Sequence, residues 1–144
     1  MSWLLDTNVI CELRKKKRCN PHVADWFARV ADEDVHLSVL VIGEIRRGIE
    51  TVRARDATTA AALERWLHRI VTDYESRILP VDRPVAEEWG KMNASGAVPA
   101  IDGLLAATAR VHGLTLVTRN LKDVRRTGVA CLNPFEKQKA GEPE

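Results

Sequence analysis

The chain has 144 residues, of which 45% are hydrophobic and 29% charged, and a formal net charge of +2 at pH 7. This length fits one domain, and the composition excludes a disordered chain. A membrane fold is excluded because no apolar run approaches the roughly 20 residues that span a bilayer. The N-terminus shows no secretory pattern, and Cys11, Cys19 and Cys131 lack metal-ligand spacing. We therefore expect a cytoplasmic protein with free thiols.

The first ten residues place a carboxylate directly after a short apolar run. Residues 3–5 (WLL) predict a buried strand of a parallel sheet, and Asp6 follows at its carboxyl end. Thr7 or Asn8 then begins a short helix. Ligands of open α/β sheets bind at the carboxyl ends of the strands, which makes Asp6 a candidate site residue.

A basic block at residues 14–18 separates this helix from the next. Asn20 followed by Pro21 is a typical helix start, and the predicted helix carries apolar residues at helical spacing, namely Val23, Trp26, Phe27 and Val30. Residues 35–37 predict the second strand. Ser38 ends that strand as the cap of a third helix.

The third helix is predicted to bury one face, which is formed by Leu40, Val41, Ile45, Gly48, Ile49 and Val52. Glu44 belongs to the same face, where a carboxylate is costly unless its charge is compensated. Three explanations remain open at this point. Glu44 lies at the exposed end of the stripe, pairs with Arg47, or meets another cation.

Helices and strands continue to alternate along the rest of the chain. A fourth helix is predicted to begin at Thr58 or Thr59, with apolar residues at Leu63, Trp66, Leu67, Ile70 and Tyr74. Residues 78–81 predict a marginal strand. The next helix is predicted to begin at Pro84 and carries Val85, Trp89 and Met92. Pro99 begins a further helix with Ile101, Leu104, Leu105 and Thr108 facing inward and Asp102 in its first turn. A strand at 114–117, a short helix through Val124 and a strand at 129–132 complete a predicted parallel α/β sheet with helices on both faces.

Four carboxylates are candidates for one site. Asp6, Glu44 and Asp123 follow strands and so share one edge of a right-handed doubly wound sheet; Asp102 joins them if its helix starts at that edge. Oxygen ligands without histidine or thiolate suit Mg²⁺ or Mn²⁺, which can activate water for attack on a phosphodiester. The alternative for the aspartates is a purely structural role as helix caps.

Basic residues are clustered although the net charge is small. The clusters are residues 14–18, Arg46 with Arg47, and a third group formed by Arg119, Lys122, Arg125 and Arg126. All three lie close in sequence to the acids and can hold a phosphate backbone, or they are solvated surface.

Four segments together resemble the PIN domain family. They are LLDTNVI at 4–10, SVLVIGE at 38–44, IDGLLAAT at 101–108 and LVTRN at 116–120. The segments TRNLKD at 118–123 and LNPF at 132–135 resemble its FitB/VapC branch. This resemblance implies a three-layer α/β/α sandwich with a mainly parallel central sheet. We expect a single domain at residues 1–135 and a polar tail at residues 136–144.

The resemblance also implies a function and residue roles. Members of this branch are Mg²⁺- or Mn²⁺-dependent endoribonucleases that act as toxins, form homodimers and are neutralised by a small DNA-binding antitoxin. By position, Asp6, Glu44 and Asp102 correspond to the core metal-binding acids and Asp123 to a more variable fourth. The predicted supporting polar residues are Thr7, Asn8, Thr118 and Asn120, and the predicted RNA contacts are Arg14, Arg46 and Arg119. Val124 departs from the aromatic residue usual after the last acid.

Two other functions are compatible with the residues. A phosphatase with Asp6 as nucleophile normally has a second aspartate two positions on, where this chain has Asn8. A non-catalytic PIN-like scaffold would act only as a binding or regulatory partner, although all three core acids are present.

Overall fold

The computed structural model describes residues 1–138; the end of the predicted polar tail, residues 139–144, lies outside the described residues. The strands are β1 (Trp3–Leu5), β2 (Val35–Ser38), β3 (Ile78–Leu79), β4 (Thr115–Val117) and β5 (Cys131–Leu132). The helices are α1 (Thr7–Leu13), α2 (Pro21–Ala28), α3 (Val39–Arg53), α4 (Ala57–Asp73), α5 (Arg83–Met92), α6 (Ala100–His112) and α7 (Leu121–Arg125). Short 3-10 turns lie at Lys16–Arg18, Asp32–Asp34 and Glu75–Arg77.

The five strands form one parallel sheet in the order β3-β2-β1-β4-β5. The chain moves outward from β1 to β3 and then returns to the other side of β1, so right-handed crossovers cover both faces of the sheet with helices. The predicted α/β fold is confirmed. The strand order reverses between β1 and β4, and a crevice at the carboxyl ends of such strands is where doubly wound sheets bind ligands.

Side-chain caps set most of the helix starts, as the sequence predicts for Asn20 and Ser38. Asn20 accepts the backbone N–H groups of the first turn of α2, and Ser38 accepts one from α3. Three starts differ from the prediction. α5 begins at Arg83 rather than Pro84, because Asp82 caps it by accepting the Val85 backbone N–H. α4 begins before Thr58 because Asp56 caps it, and Pro99 is the capping residue of α6 rather than its first helical residue.

The core lies around β1, whose three residues are buried. Trp3 of β1 packs edge-on against the buried Trp26 of α2, with ring centroids 5.3 Å apart. Two predicted core positions are wrong: Gly48 lies on the exposed side of α3, and Ile101 is 36% exposed. Helical spacing identifies the apolar face of a helix, but neighbouring elements decide how much of that face is covered.

Val124, which stands where the family usually has an aromatic residue, is buried in the core. All three cysteines are free, as predicted. None of the helices within residues 1–138 combines the length and apolar character that crossing a bilayer requires.

Candidate active site

Asp6 lies where the backbone passes from β1 into α1. Its backbone N–H donates to the Val117 carbonyl at 2.9 Å, which ties the end of β1 to the end of β4. Its Oδ1 accepts the Thr7 backbone N–H at 2.7 Å and thereby caps α1. Its Oδ2 accepts the Thr118 hydroxyl at 2.7 Å and the Asn8 amide at 3.4 Å. Both oxygens of this 7% exposed carboxylate are therefore held by neutral donors.

Glu44, in the second turn of α3, has a hydroxyl partner rather than a cation. The Thr7 side chain donates to Glu44 Oε1 at 2.5 Å, which joins the start of α1 to α3. Within residues 1–138 Glu44 forms no ion pair, so the pairing with Arg47 considered from the sequence is not found. Glu44 is half-buried. The hydrogen bond from the Thr7 hydroxyl offsets part of the cost of placing a carboxylate on the apolar face of α3, without neutralising its charge.

Asn120 connects the other two carboxylates to Asp6. Its side-chain amide donates to Asp102 Oδ2 and to Asp123 Oδ2, both at 3.2 Å. Its backbone N–H donates to the Thr118 hydroxyl at 3.1 Å, and that hydroxyl in turn donates to Asp6. α6 therefore does start at the edge where β1 and β4 end, the condition that the sequence left open for Asp102.

One continuous hydrogen-bonded network thus joins the four predicted acids. It runs through the predicted polar residues Thr7, Thr118 and Asn120. The fourth predicted polar residue, Asn8, also contacts Asp6 and accepts the Arg119 backbone N–H at 3.3 Å. We name this set the acidic edge; its carboxylates are Asp6, Glu44, Asp102 and Asp123.

The acidic edge concentrates negative charge in partly desolvated surroundings. Burial raises the pKa of Asp6, and the charge of Glu44 raises it further, while the hydrogen bonds from Thr118 and Thr7 oppose the shift. Burial also raises the pKa of Asp102, followed by the charges of Asp6, Asp123 and Glu44. Like charges that interact in this way disfavour one another's ionised forms. A cation at the acidic edge would remove that repulsion.

The donor chemistry of the acidic edge fits a hard divalent cation. Mg²⁺ and Mn²⁺ prefer carboxylate oxygens, and no lysine or arginine of residues 1–138 forms an ion pair with any of the four acids. No three carboxylates, imidazoles or thiols in that part of the chain are already gathered as the ligands of one ion. The fit therefore rests on the oxygen donors and on their uncompensated charge.

The three arginines predicted to contact RNA have different surroundings. The Arg119 guanidinium lies 4.2 Å from the centroid of the Phe135 ring, and that of Arg14 lies 5.6 Å from the Trp66 ring. Both leave their hydrogen-bond donors available, since a ring face attracts the charge without accepting directed N–H bonds as a carboxylate does.

Arg46 differs from the expectation. It forms a bidentate ion pair with Glu64 of α4 at 2.7 and 2.5 Å and also contacts Glu50 at 3.2 Å. The hydrogen bond from Arg46 is the main cause that lowers the pKa of Glu64, to about 2. Arg53 binds the same two glutamates. Arg46 is therefore engaged in joining α3 to α4 and is not free for a phosphate.

Sequence reasoning missed Glu12, which anchors the basic segment after α1. Its carboxylate is buried, accepts the Lys15 ammonium at 2.9 Å and accepts the Asn20 backbone N–H at 2.8 Å. It thus ties the end of α1 to the cap of α2. The available signal was its position three residues after the buried Val9, on the same helical face.

The comparisons with known proteins identify the family and the fold. The family model described as "PIN domain" matches residues 3–129. Toxin FitB of Neisseria gonorrhoeae is 34% identical over 137 residues, covering 92% of this chain and 97% of the relative. VapC ribonuclease Y4jK of Sinorhizobium fredii is 31% identical over 138 residues, covering 92% and 97%. A solved structure of FitAB bound to an IR36 DNA fragment superposes with a TM-score of 0.85 at 30% identity, covering 96% of this chain and 99% of that one. This chain belongs to the PIN domain family.

Proposed function

We propose that this protein is a metal-dependent endoribonuclease that acts as the toxin of a type II toxin–antitoxin pair. The observation that carries the proposal is the acidic edge, where four carboxylates are joined by neutral donors and lack a counter-charge within residues 1–138. A relative named VapC ribonuclease and a relative named Toxin FitB support the same activity and role.

In this proposal Asp6, Glu44 and Asp102 hold Mg²⁺ or Mn²⁺, and Asp123 assists. The bound cation supplies an activated water and stabilises the charge that develops on the phosphodiester. Thr118 and the Thr7 backbone fix the two oxygens of Asp6, while the Thr7 hydroxyl fixes Glu44. Fixed ligands need no reorganisation when substrate arrives, which favours reaction over mere binding.

Asn120 has the corresponding role on the other side of the acidic edge. Its two amide N–H groups hold Asp102 and Asp123, so one side chain sets the positions of both carboxylates. Arg119 directly follows Thr118, and its guanidinium group packs over the ring of Phe135. We assign Arg119 to the RNA phosphate beside the acids, where a planar guanidinium can bind two oxygens at once.

The proposal extends to assembly. One solved structure that this chain resembles is FitAB bound to a DNA fragment, and we propose that this chain likewise pairs with a small DNA-binding antitoxin. We further propose a homodimer in the cytoplasm, with residues 1–135 as the folded domain and 136–144 as its tail. Co-purification with the protein encoded beside it and the mass of the complex test these points.

The activity is tested on purified protein freed of any partner. Total cellular RNA is incubated with Mg²⁺, with Mn²⁺ or with EDTA, beside Asp6→Asn and the control Glu75→Gln. Asn also caps helices, so Asp6→Asn is expected to fold. Glu75 is exposed and precedes β3, at the opposite edge of the sheet. We expect metal-dependent cleavage in wild type and Glu75→Gln and none in Asp6→Asn.

Two results would contradict the proposal. Cleavage that persists in EDTA or in Asp6→Asn would mean that the acidic edge does not carry the reaction. Absence of both cleavage and Mn²⁺ binding by calorimetry would leave the non-catalytic scaffold as the better description. Binding of Mn²⁺ without cleavage of total RNA would instead place the error in the substrate.

A further inference from the structure

The structure separates the three basic clusters that the sequence predicts. Arg46 of the second cluster is bound to Glu64 and Glu50. The first cluster, residues 14–18, contributes to a groove between α1, α2 and α4, and the described residues that line this groove include none of the four acids. The third cluster differs from both, because three of its cations lie on α7 or directly after it. α7 is the helix that carries Asp123, so this cluster adjoins the acidic edge.

Two of these cations, Lys122 and Arg126, lie on the same face of α7. They are four residues apart, and Arg126, which caps the helix, keeps helical backbone angles with φ of −63° and ψ of −22°. Residues at this spacing are neighbours, with Cβ atoms about 5–6 Å apart. Asp123 lies three residues before Arg126 and therefore adjoins this face, whereas Val124 on the opposite side is buried. We name the surface formed by Lys122 and Arg126 the α7 basic face.

The positive charge of the α7 basic face is uncompensated. Both side chains are exposed, and within residues 1–138 neither Lys122 nor Arg126 forms an ion pair. Asp123 is close in sequence to both, but it accepts the Asn120 amide at 3.2 Å instead. Like charges at positions i and i+4 of a helix repel each other. A polyanion on this face would relieve that repulsion.

α7 holds the α7 basic face in a fixed direction although the helix has only five residues. Val124 anchors the inner side of the helix and is 1% exposed. The Thr127 hydroxyl donates to the Val124 carbonyl at 2.5 Å, and the Thr127 carbonyl accepts the Arg110 guanidinium at 2.9 Å. The third cation, Arg125, is turned toward β5, where it forms a hydrogen bond with the Cys131 side chain. A face that is fixed before binding loses less conformational entropy when a ligand arrives.

We infer that the α7 basic face binds the phosphate backbone of the RNA strand on the Asp123 side of the cleaved bond. This inference rests on the proposed ribonuclease function and adds the side on which the substrate strand leaves the acidic edge. Both cations lie within one helical turn of Asp123. An RNA strand carries a phosphate at every nucleotide, so a strand cleaved beside Asp123 brings its next phosphates close to α7. An acidic protein segment is the competing occupant, but it has no comparable reason to lie beside Asp123.

The test is direct RNA binding in EDTA, so that cleavage does not intervene. The probe is a fluorescent single-stranded RNA of roughly 12 nucleotides, within the usual range of single-strand site sizes. Wild type is compared with the double variant Lys122→Gln and Arg126→Gln. The matched control is Arg65→Gln with Arg69→Gln, an exposed pair on α4 with the same spacing and, within residues 1–138, likewise without an ion pair. The charge-retaining control is Lys122→Arg with Arg126→Lys.

Loss of two phosphate contacts predicts a definite salt dependence. The slope of log K against log salt should become shallower by about 1.4, which corresponds to a roughly 25-fold loss of affinity at 0.1 M salt when the two proteins bind equally at 1 M. The charge-retaining variant should bind close to wild type, and the Arg65/Arg69 variant should keep the wild-type slope. All variants should retain the melting temperature of wild type within a few degrees, because the four substituted side chains are exposed.

Three outcomes would overturn the inference. The first is equal slope and affinity, or equal absence of RNA binding, in wild type and Lys122→Gln/Arg126→Gln. The second is an equal loss in the Arg65/Arg69 control, which would indicate attraction to net charge only. The third is normal RNA binding together with loss of a co-purified protein partner, which would identify the α7 basic face as a protein-docking surface. Because binding is measured without turnover, failure of the nuclease proposal shows in the cleavage assay and not in this one.

Discussion

Thr118→Val tests whether the hydroxyl between β4 and α7 holds the acidic edge together. Thr118 is fully buried, donates to Asp6 Oδ2 at 2.7 Å and accepts the Asn120 backbone N–H at 3.1 Å. Valine has nearly the same shape but neither donates nor accepts. The substitution therefore removes two hydrogen bonds and leaves a buried carboxylate oxygen with one long contact, from Asn8 at 3.4 Å.

The size of the stability loss follows from the two hydrogen-bond partners of the Thr118 hydroxyl. A hydrogen bond to a charged group contributes about 1.5–3 kcal/mol to stability. The second bond contributes less, because Asn120 is exposed and water can replace the lost acceptor. We expect Thr118→Val to lower the free energy of unfolding by about 2 kcal/mol. For a chain of this length that corresponds to a decrease of roughly 6 °C in melting temperature.

Thr118→Ser is the matched control because it keeps the hydroxyl and loses only a methyl group. Removal of one buried methyl costs about 1 kcal/mol. The expected order of stability, measured by urea unfolding in EDTA, is wild type, then Ser, then Val. In RNA cleavage, Ser should retain most of the turnover while Val loses roughly tenfold or more, since a misplaced reacting group is costly. A Thr118→Val variant that is as stable as wild type, or more stable than Thr118→Ser, would refute the assigned role of this hydroxyl.

Three further predictions concern other parts of the molecule. Gly103→Ala should destabilise the protein by about 1–3 kcal/mol in urea unfolding, since its Cβ would lie 3.0 Å from the Asn93 side chain; an unchanged midpoint would contradict the close packing of α5 on α6. Asp102→Asn should raise the melting temperature of the metal-free protein, because burial and the charges of Asp6, Asp123 and Glu44 raise the pKa of Asp102 and so disfavour its ionised form, while cleavage is lost; a destabilised variant would contradict this. The hydrogen bond from Lys15 lowers the pKa of Glu12 below its ordinary 4.5, so its stabilisation is present above that value and is lost as pH falls through the lower folded pKa. The melting temperature of Glu12→Gln should therefore fall less on acidification than that of wild type, and parallel curves would refute the assignment.

Local rules in the sequence were sufficient for the elements that carry the acidic edge. An apolar run that stops at Asp6 predicts both the buried strand and the cap of α1, and Ser38 is recognised as the cap of α3 in the same way. These features depend on neighbouring residues only. Chain order and right-handed crossovers then bring the ends of β1 and β4 together.

Features that depend on packing between distant elements could not be predicted in this way. The place of Asp102 depends on how α6 starts, and α6 is set by the close approach of Trp89 and Asn93 to Gly103. The pairing of Arg46 with Glu64 spans 18 residues and requires α3 to pack on α4. Helical spacing gives the face on which each residue lies but not the neighbour that it meets.

The choice of partners at the acidic edge explains how four acids can share a partly buried site and remain available to a cation. Asp6 and Glu44 accept hydrogen bonds from hydroxyl and amide groups, which fix an oxygen without cancelling its charge. A lysine or arginine in the same place would stabilise the protein more, but it would compete with the metal for the same oxygens. The nearby arginines are instead held elsewhere, Arg14 over Trp66 and Arg119 over Phe135. Negative charge for a cation and positive charge for a phosphate backbone thus stay separate, and the proposed metal-dependent cleavage of RNA requires both.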